Sequence, residues 1–104
     1  MPVARRGEIW VVDFGIAAKV RPALLLTDSP PADELDLVTV ILHTTSLRDN
    51  RWELVVPKPF LKPGAFHLQQ IQSVPTVRLE RRLGALTVEE WRRIQDVLRA
   101  RLSF

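Results

Sequence analysis

Two runs near the amino terminus decide the fold: Arg6-Gly7-Glu8-Ile9-Trp10-Val11-Val12-Asp13-Phe14, and then Lys19-Val20-Arg21-Pro22-Ala23-Leu24-Leu25-Leu26. Glu8 to Phe14 alternates, with Ile9, Val11 and Asp13 on one side and Trp10, Val12 and Phe14 on the other. Both sides are largely apolar, so this strand is expected to be covered on both faces. Gly15 ends it. Pro22 has no N–H to give to a ladder and is expected to open the second strand, Ala23 to Thr27, rather than sit inside it. The proline also holds Arg21 extended, which aims its side chain out of the strand end.

Asp28-Ser29-Pro30-Pro31-Ala32-Asp33-Glu34 reads as an exposed acidic loop. Leu37 to Leu42 is a β-branched run that continues into His43-Thr44-Thr45-Ser46, and Asp49-Asn50 supplies turn residues before a further strand, Trp52 to Val56. Pro57 to Gly64 is a stiff loop with three prolines, and Phe66 to Val74 forms another strand carrying Gln69, Gln70 and Gln72. His67, beside a loop, is expected to be exposed. The clearest helix comes last. Thr87 and Glu90 fit a capping box, Gly84 breaks the segment before it, and Trp91, Ile94, Val97, Leu98 and Leu102 recur as one apolar stripe.

Five or so short strands followed by one helix give a mainly β fold, a small barrel or strongly bent sheet closed by the carboxy-terminal helix. The 104 residues suit one domain, 1–104, and no repeat or linker divides them. A chain this short buries only about two thirds of its unfolded surface, so pairing with a second copy would add stability.

No cysteine is present, which excludes disulfides and thiolate metal sites. The basic amino terminus runs into no apolar stretch of signal length, and no apolar run is long enough to span a bilayer, so a soluble, cytoplasmic protein is expected. Net charge is +3, and twelve of the fifteen basic residues are arginines, whose planar fork suits phosphate. The excess is too mild to establish a nucleic-acid partner alone. Two histidines and scattered acids offer no metal spacing, and with four glycines there is no phosphate cradle. No nucleophile elbow is present either.

An arginine at a strand start and a Thr-Thr-Ser cluster at a strand end remain. They suit metal-free RNA cleavage, because RNA carries its own nucleophile, the 2′-OH, beside each phosphodiester. The protein has to hold that hydroxyl in line and stabilise charge on the phosphoryl oxygens, which arginine and hydroxyl donors do without a cofactor.

Five segments, in order, resemble the MazF/PemK family of toxin endoribonucleases. They are Arg6-Gly7-Glu8-Ile9-Trp10, Lys19-Val20-Arg21-Pro22-Ala23-Leu24, Val40-Ile41-Leu42-His43-Thr44-Thr45-Ser46, Leu68-Gln69-Gln70-Ile71-Gln72-Ser73-Val74, and Arg78-Leu79 with Arg82-Leu83-Gly84 and Leu86. The resemblance implies an SH3-like barrel of the PemK/CcdB type with a carboxy-terminal helix and a homodimer. It also implies a MazE-like antitoxin and a ribosome-independent, sequence-specific endoribonuclease acting on single-stranded mRNA. Carried over by position, Arg21 contacts the scissile phosphate and Thr44 assists it, with Thr45 or Ser46 as substitutes. His43 is a candidate proton carrier that strand alternation turns away from Thr44. Lys19, Gln70 and Gln72 are further candidates for RNA contact. Trp10 and Trp52 are read as core residues before base-stacking platforms.

Two departures from the family pattern stand out. The loop Gly15-Ile16-Ala17-Ala18-Lys19 is short, and Gln72 replaces a basic residue. The rivals to a nuclease are a CcdB-like gyrase poison, against which the ending Arg101-Leu102-Ser103-Phe104 speaks because it lacks Trp-Gly-Ile, and a catalytically silent RNA-binding module.

Overall fold

The computed structural model describes residues 3–15 and 19–104. Their strands are β1 (Glu8–Asp13), β2 (Val20–Leu25), β3 (Leu37–Thr44), β4 (Glu53–Leu54), β5 (Ala65–Pro75) and β6 (Leu79–Ala85), and the helix α1 (Val88–Leu102) follows. A 3-10 turn, Thr76–Arg78, links β5 to β6. All pairings are antiparallel, in the order β4-β5-β3-β2-β1-β6. β4 and β6 are the two edges of the sheet among the described residues, and the expected mainly β fold with one carboxy-terminal helix is what forms.

Strand alternation divides the apolar residues between two faces. Trp10 and Val12 of β1 join Ala23, Leu25, Val38, Val40, Leu42, Val74 and Leu79 in one buried cluster. Ile9 joins Leu24, Ile41, Phe66 and Leu68 in the other, where Ile94 of α1 docks with Trp91, Val97 and Leu98 around it. β1 is thus covered on both sides, as its sequence indicates. Trp10 is a core residue, its indole N–H donating to Glu8 Oε1 at 3.0 Å. Trp52 is only half-buried, with the Arg51 guanidinium 4.2 Å from its ring centroid and that of Arg101 at 5.4 Å. Leu102 leaves the apolar stripe: it is exposed in the last turn, just before the left-handed Ser103 ends the helix.

The capping box forms with both reciprocal bonds, Glu90 N–H to Thr87 Oγ1 at 3.2 Å and Thr87 N–H to Glu90 Oε1 at 2.9 Å. Glu90 also holds Lys58 at 2.7 Å, which ties the proline-rich loop to the start of α1. Burial raises the Glu90 pKa, but Lys58 and the capping amide outweigh that and keep the carboxyl below its ordinary value.

Several sequence expectations shift. β2 begins at Val20, two residues before Pro22, and the proline lies inside it opposite Val11. The Phe14 N–H donates to the Lys19 carbonyl at 2.9 Å, so by alternation Pro22↔Val11 is a non-hydrogen-bonded pair. The proline nitrogen therefore faces the β3 side, where the ladder has already ended at Ala23↔Leu42, and no bond is lost. Gly84 does not break the chain before the helix. It lies inside β6, a strand the sequence pattern hides because Glu80, Arg81 and Arg82 interrupt its alternation. His67 is buried rather than exposed, since β4 and β3 flank β5 at this point, and its Nδ1 accepts the Gln69 N–H at 3.2 Å. β4 shrinks to Glu53–Leu54.

Candidate active site between the ends of β2 and β3

β2 and β3 pair through Ala23↔Leu42, Leu24↔Ile41 and Leu25↔Val40, and no ladder partner follows Ala23 toward the start of β2. Counting on by two residues makes Arg21 and Thr44 the next same-face pair. Here a cleft of about 330 Å³ opens, lined by Arg21, Pro22, His43, Thr44, Thr45 and Ser46. Its far wall comes from Val11, Arg81 and Leu83 of β1 and β6 and from Phe60 and Lys62 of the proline-rich loop.

Register explains the wall. Val11 pairs with Pro22 on one side and Arg81 on the other, so these three form a row across β2, β1 and β6. Phe60 packs closely against Gly84: a Cβ there would come within 2.6 Å of two ring carbons. Gly64 has the same relation to the catalytic candidates. A Cβ on it would fall inside the contact radius of the Thr44 carbonyl oxygen and 3.0 Å from His43 Cε1.

The electrostatics are one-sided. Arg21, Lys62 and Arg81 line the cleft and no carboxylate does. Among the described residues none of the three joins an ion pair, whereas Arg78 meets Asp13 at 3.6 Å and Arg82 meets Glu8 at 2.8 Å. An anion entering the cleft meets cations free to bind it.

Thr44 is half-buried, and its Oγ1 accepts the Ser46 N–H at 3.0 Å. That bond occupies a lone pair and leaves the hydroxyl hydrogen free to donate outward. The loop beyond is organised by Glu53, whose carboxylate accepts the backbone N–H groups of Arg48 at 2.8 Å and Asn50 at 3.2 Å. The Arg48 amide, with further backbone donors, holds the Glu53 carboxyl below its ordinary pKa.

His43 follows the alternation and packs its ring edge-on against Phe66, 5.1 Å between centroids, yet it still borders the cleft. Burial disfavours the imidazolium and lowers the His43 pKa, so the ring stays neutral to lower pH than a free histidine. Among the described residues, no three His, Asp or Glu side chains cluster as metal ligands would.

The cleft gathers Arg21, His43, Thr44, Thr45 and Ser46, and leaves out three candidates. Lys19 is exposed in the β1–β2 turn with a left-handed φ of 59°, and Gln70 and Gln72 are exposed on β5. Residues 16–18 of the short first loop lie outside the described residues. Lys62 and Arg81 are cleft cations that the sequence did not mark. The one signal for Arg81 was its place between Leu79 and Leu83, two residues away on either side.

Residues 5–102 match the family model described as PemK-like, MazF-like toxin of type II toxin–antitoxin system. No curated protein sequence matches the chain. Among solved structures, the fold is similar to MazF from Deinococcus radiodurans, at 16% identity over 100% of both chains with a TM-score of 0.81. The Mycobacterium tuberculosis toxin MazF-mt6 aligns at 23% identity over 93% of this chain and 97% of its own, TM-score 0.79. An endoribonuclease from a mycobacterial species, solved in complex with its cognate antitoxin, aligns at 19% identity over 100% and 97% of the two chains, TM-score 0.79.

Proposed function

Because this chain belongs to the family of PemK-like, MazF-like toxins of type II toxin–antitoxin systems, we propose that it is an endoribonuclease that cuts single-stranded mRNA, sequence-specifically and without a metal, in the cleft between β2 and β3. The observation that carries this reading is that Arg21 and Thr44 line one cleft that holds three cations and no carboxylate.

The reaction uses the RNA's own 2′-OH. Its oxygen attacks the adjacent phosphorus as its proton passes to a base, the P–O5′ bond breaks, and the 5′-oxygen leaves as a hydroxyl after taking up a proton. The products are a 2′,3′-cyclic phosphate and a 5′-OH. Negative charge builds on the non-bridging oxygens, and Arg21 faces it with a fork of N–H donors. Thr44 adds its outward hydroxyl. One well-placed donor of this kind stabilises a transition state by about 3–4 kcal/mol. Arg21 stays protonated at neutral pH and acts by charge or by giving a proton, not as a base. His43, whose neutral form burial favours, is the candidate acceptor for the 2′-OH proton. Lys62 and Arg81 hold the neighbouring phosphates.

The same reading includes a single domain over 1–104, a homodimer with the SH3-like barrel architecture, a cytoplasmic site of action and a MazE-like antitoxin. Among the described residues, no helix is long and apolar enough to cross a membrane. The positive cleft suits a partner segment with acidic and apolar side chains.

The test is incubation of the purified protein with a long single-stranded RNA in EDTA, followed by end mapping. Discrete cuts carrying 5′-OH and cyclic-phosphate ends are expected. RNA left intact across varied sequences would turn attention to a silent RNA binder, or to a gyrase poison that a supercoiling assay would detect.

A further inference from the structure

Beside the cleft lies a second, larger groove of about 670 Å³, between the loop after β3 and the proline-rich loop after β4. We propose that this groove seats the base of the nucleotide adjoining the scissile phosphate and so sets which sequence is cut; the proposal rests on the nuclease reading above.

The groove and the cleft are continuous. His43, Thr45 and Lys62 line both the groove and the cleft, so a chain bound in one passes directly into the other. Their linings differ in character. The groove walls are Leu47, Val55, Val56, Pro57, Leu61 and Pro63, with no acidic residue among the lining. A nucleotide pairs a flat ring with apolar faces and a charged phosphate, and an apolar slot opening onto a cationic cleft matches both halves. Lys58 adds no free charge, because Glu90 holds its ammonium at 2.7 Å and leaves its alkyl stem on the wall. At the junction, Thr45 and His43 offer hydrogen-bonding groups to a base edge. Their burial differs: His43 is enclosed, while Thr45 is exposed.

The groove wall is held in place through its own backbone. Leu61 N–H donates to the Lys58 carbonyl at 3.0 Å, Arg93 Nη2 to the Val55 carbonyl at 3.4 Å, and three prolines fix the loop's φ angles. A wall fixed before binding loses little freedom when a base enters. Leu47 and Val55 nevertheless stand 46% and 49% exposed, apolar surface left uncovered at the mouth. The volume lies within the roughly 300–1,000 Å³ of ligand-sized clefts.

Exposed Leu47 and Val55 permit substitution without loss of the core, and circular dichroism checks folding. A pool of random-sequence RNA is cut by wild type, Leu47→Ala and Val55→Ser, and the new 5′-OH ends are sequenced. The wild type is expected to show a base preference at a position flanking the cut. Both variants are expected to weaken that preference at least about tenfold, the lower end of what one methylene of apolar pocket contact discriminates, while continuing to cut. Leu47→Phe is expected to retain it. An unchanged preference in folded Leu47→Ala and Val55→Ser overturns the proposal and leaves the groove to a protein segment. Absence of cutting by the wild type is a different result, and it removes the nuclease reading itself.

Discussion

Replacing Gly64 by alanine is expected to damage the candidate site while sparing most of the fold. The new methyl carbon would overlap the Thr44 carbonyl oxygen and press on His43 Cε1 from 3.0 Å. Backbone cannot yield as a side-chain tip does, so β3 and the loop must part by roughly an ångström to restore contact distance. A displacement of about 1 Å at a reacting group lowers rate by about a hundredfold. Overpacking of this kind also costs about 1–3 kcal/mol of stability. In a domain of this size each kcal/mol lowers Tm by about 4–8 °C. The assay is initial cleavage rate on one RNA substrate at a temperature well below the variant's own Tm, beside Val77→Ala, a control at a residue exposed on the surface. A folded Gly64→Ala protein that cuts at the wild-type rate would refute the reasoning, because Thr44 and His43 would then not need the positions they occupy.

Other outcomes follow from the same geometry. Lys62→Ala is expected to weaken RNA binding and to reduce the slope of log K against log salt by about 0.7, one phosphate contact on a single strand; an unchanged slope would remove Lys62 from the interface. Thr87→Ala deletes one arm of the capping box and is expected to lower stability by about 1 kcal/mol, read from urea unfolding, with cleavage kept. Burial lowers the His43 pKa, so the unfolded chain binds a proton below about pH 6.5 that the folded chain refuses. Stability contributed by the neutral ring is therefore complete above that pH and declines as pH falls toward the folded value. Glu8, Glu53 and Glu90, all lowered, stay ionised between pH 7.5 and 5.5. Urea midpoints measured at those two pH values should differ less in His43→Gln than in wild type, and an equal difference would show that His43 is not the group responsible.

Much of the fold was legible because its signals are local. Double-sided apolar alternation marked β1, and Thr87 with Glu90 marked the start of α1 three residues apart. Arg21 and Thr44 were legible as strand-end residues, and through resemblance, but not as neighbours. Their approach depends on a ladder that stops at Ala23↔Leu42, which is a property of two strands together. β6 was lost because Glu80, Arg81 and Arg82 interrupt its alternation at a sheet edge and Gly84 resembles a break. With it went Arg81, which reaches the cleft only because Val11 pairs with it across β1. Lys62 was invisible for a similar reason: a lysine among prolines reads as a loop, and what brings it to the site is the Lys58–Glu90 bridge together with Phe60 seated on Gly84. His67 misled in the other direction, since β4, only two residues long, buries it.

In the proposed reaction Arg21, which lines the cleft with Thr44, stabilises the charge that develops on the phosphoryl oxygens. The most direct measurement compares single-turnover cleavage by wild type and Arg21→Ala in EDTA, on an RNA the wild type cuts, with folding checked by circular dichroism. A fall of at least about a hundredfold in a folded Arg21→Ala protein is the expected result. Wild-type rates in that variant would contradict the claim.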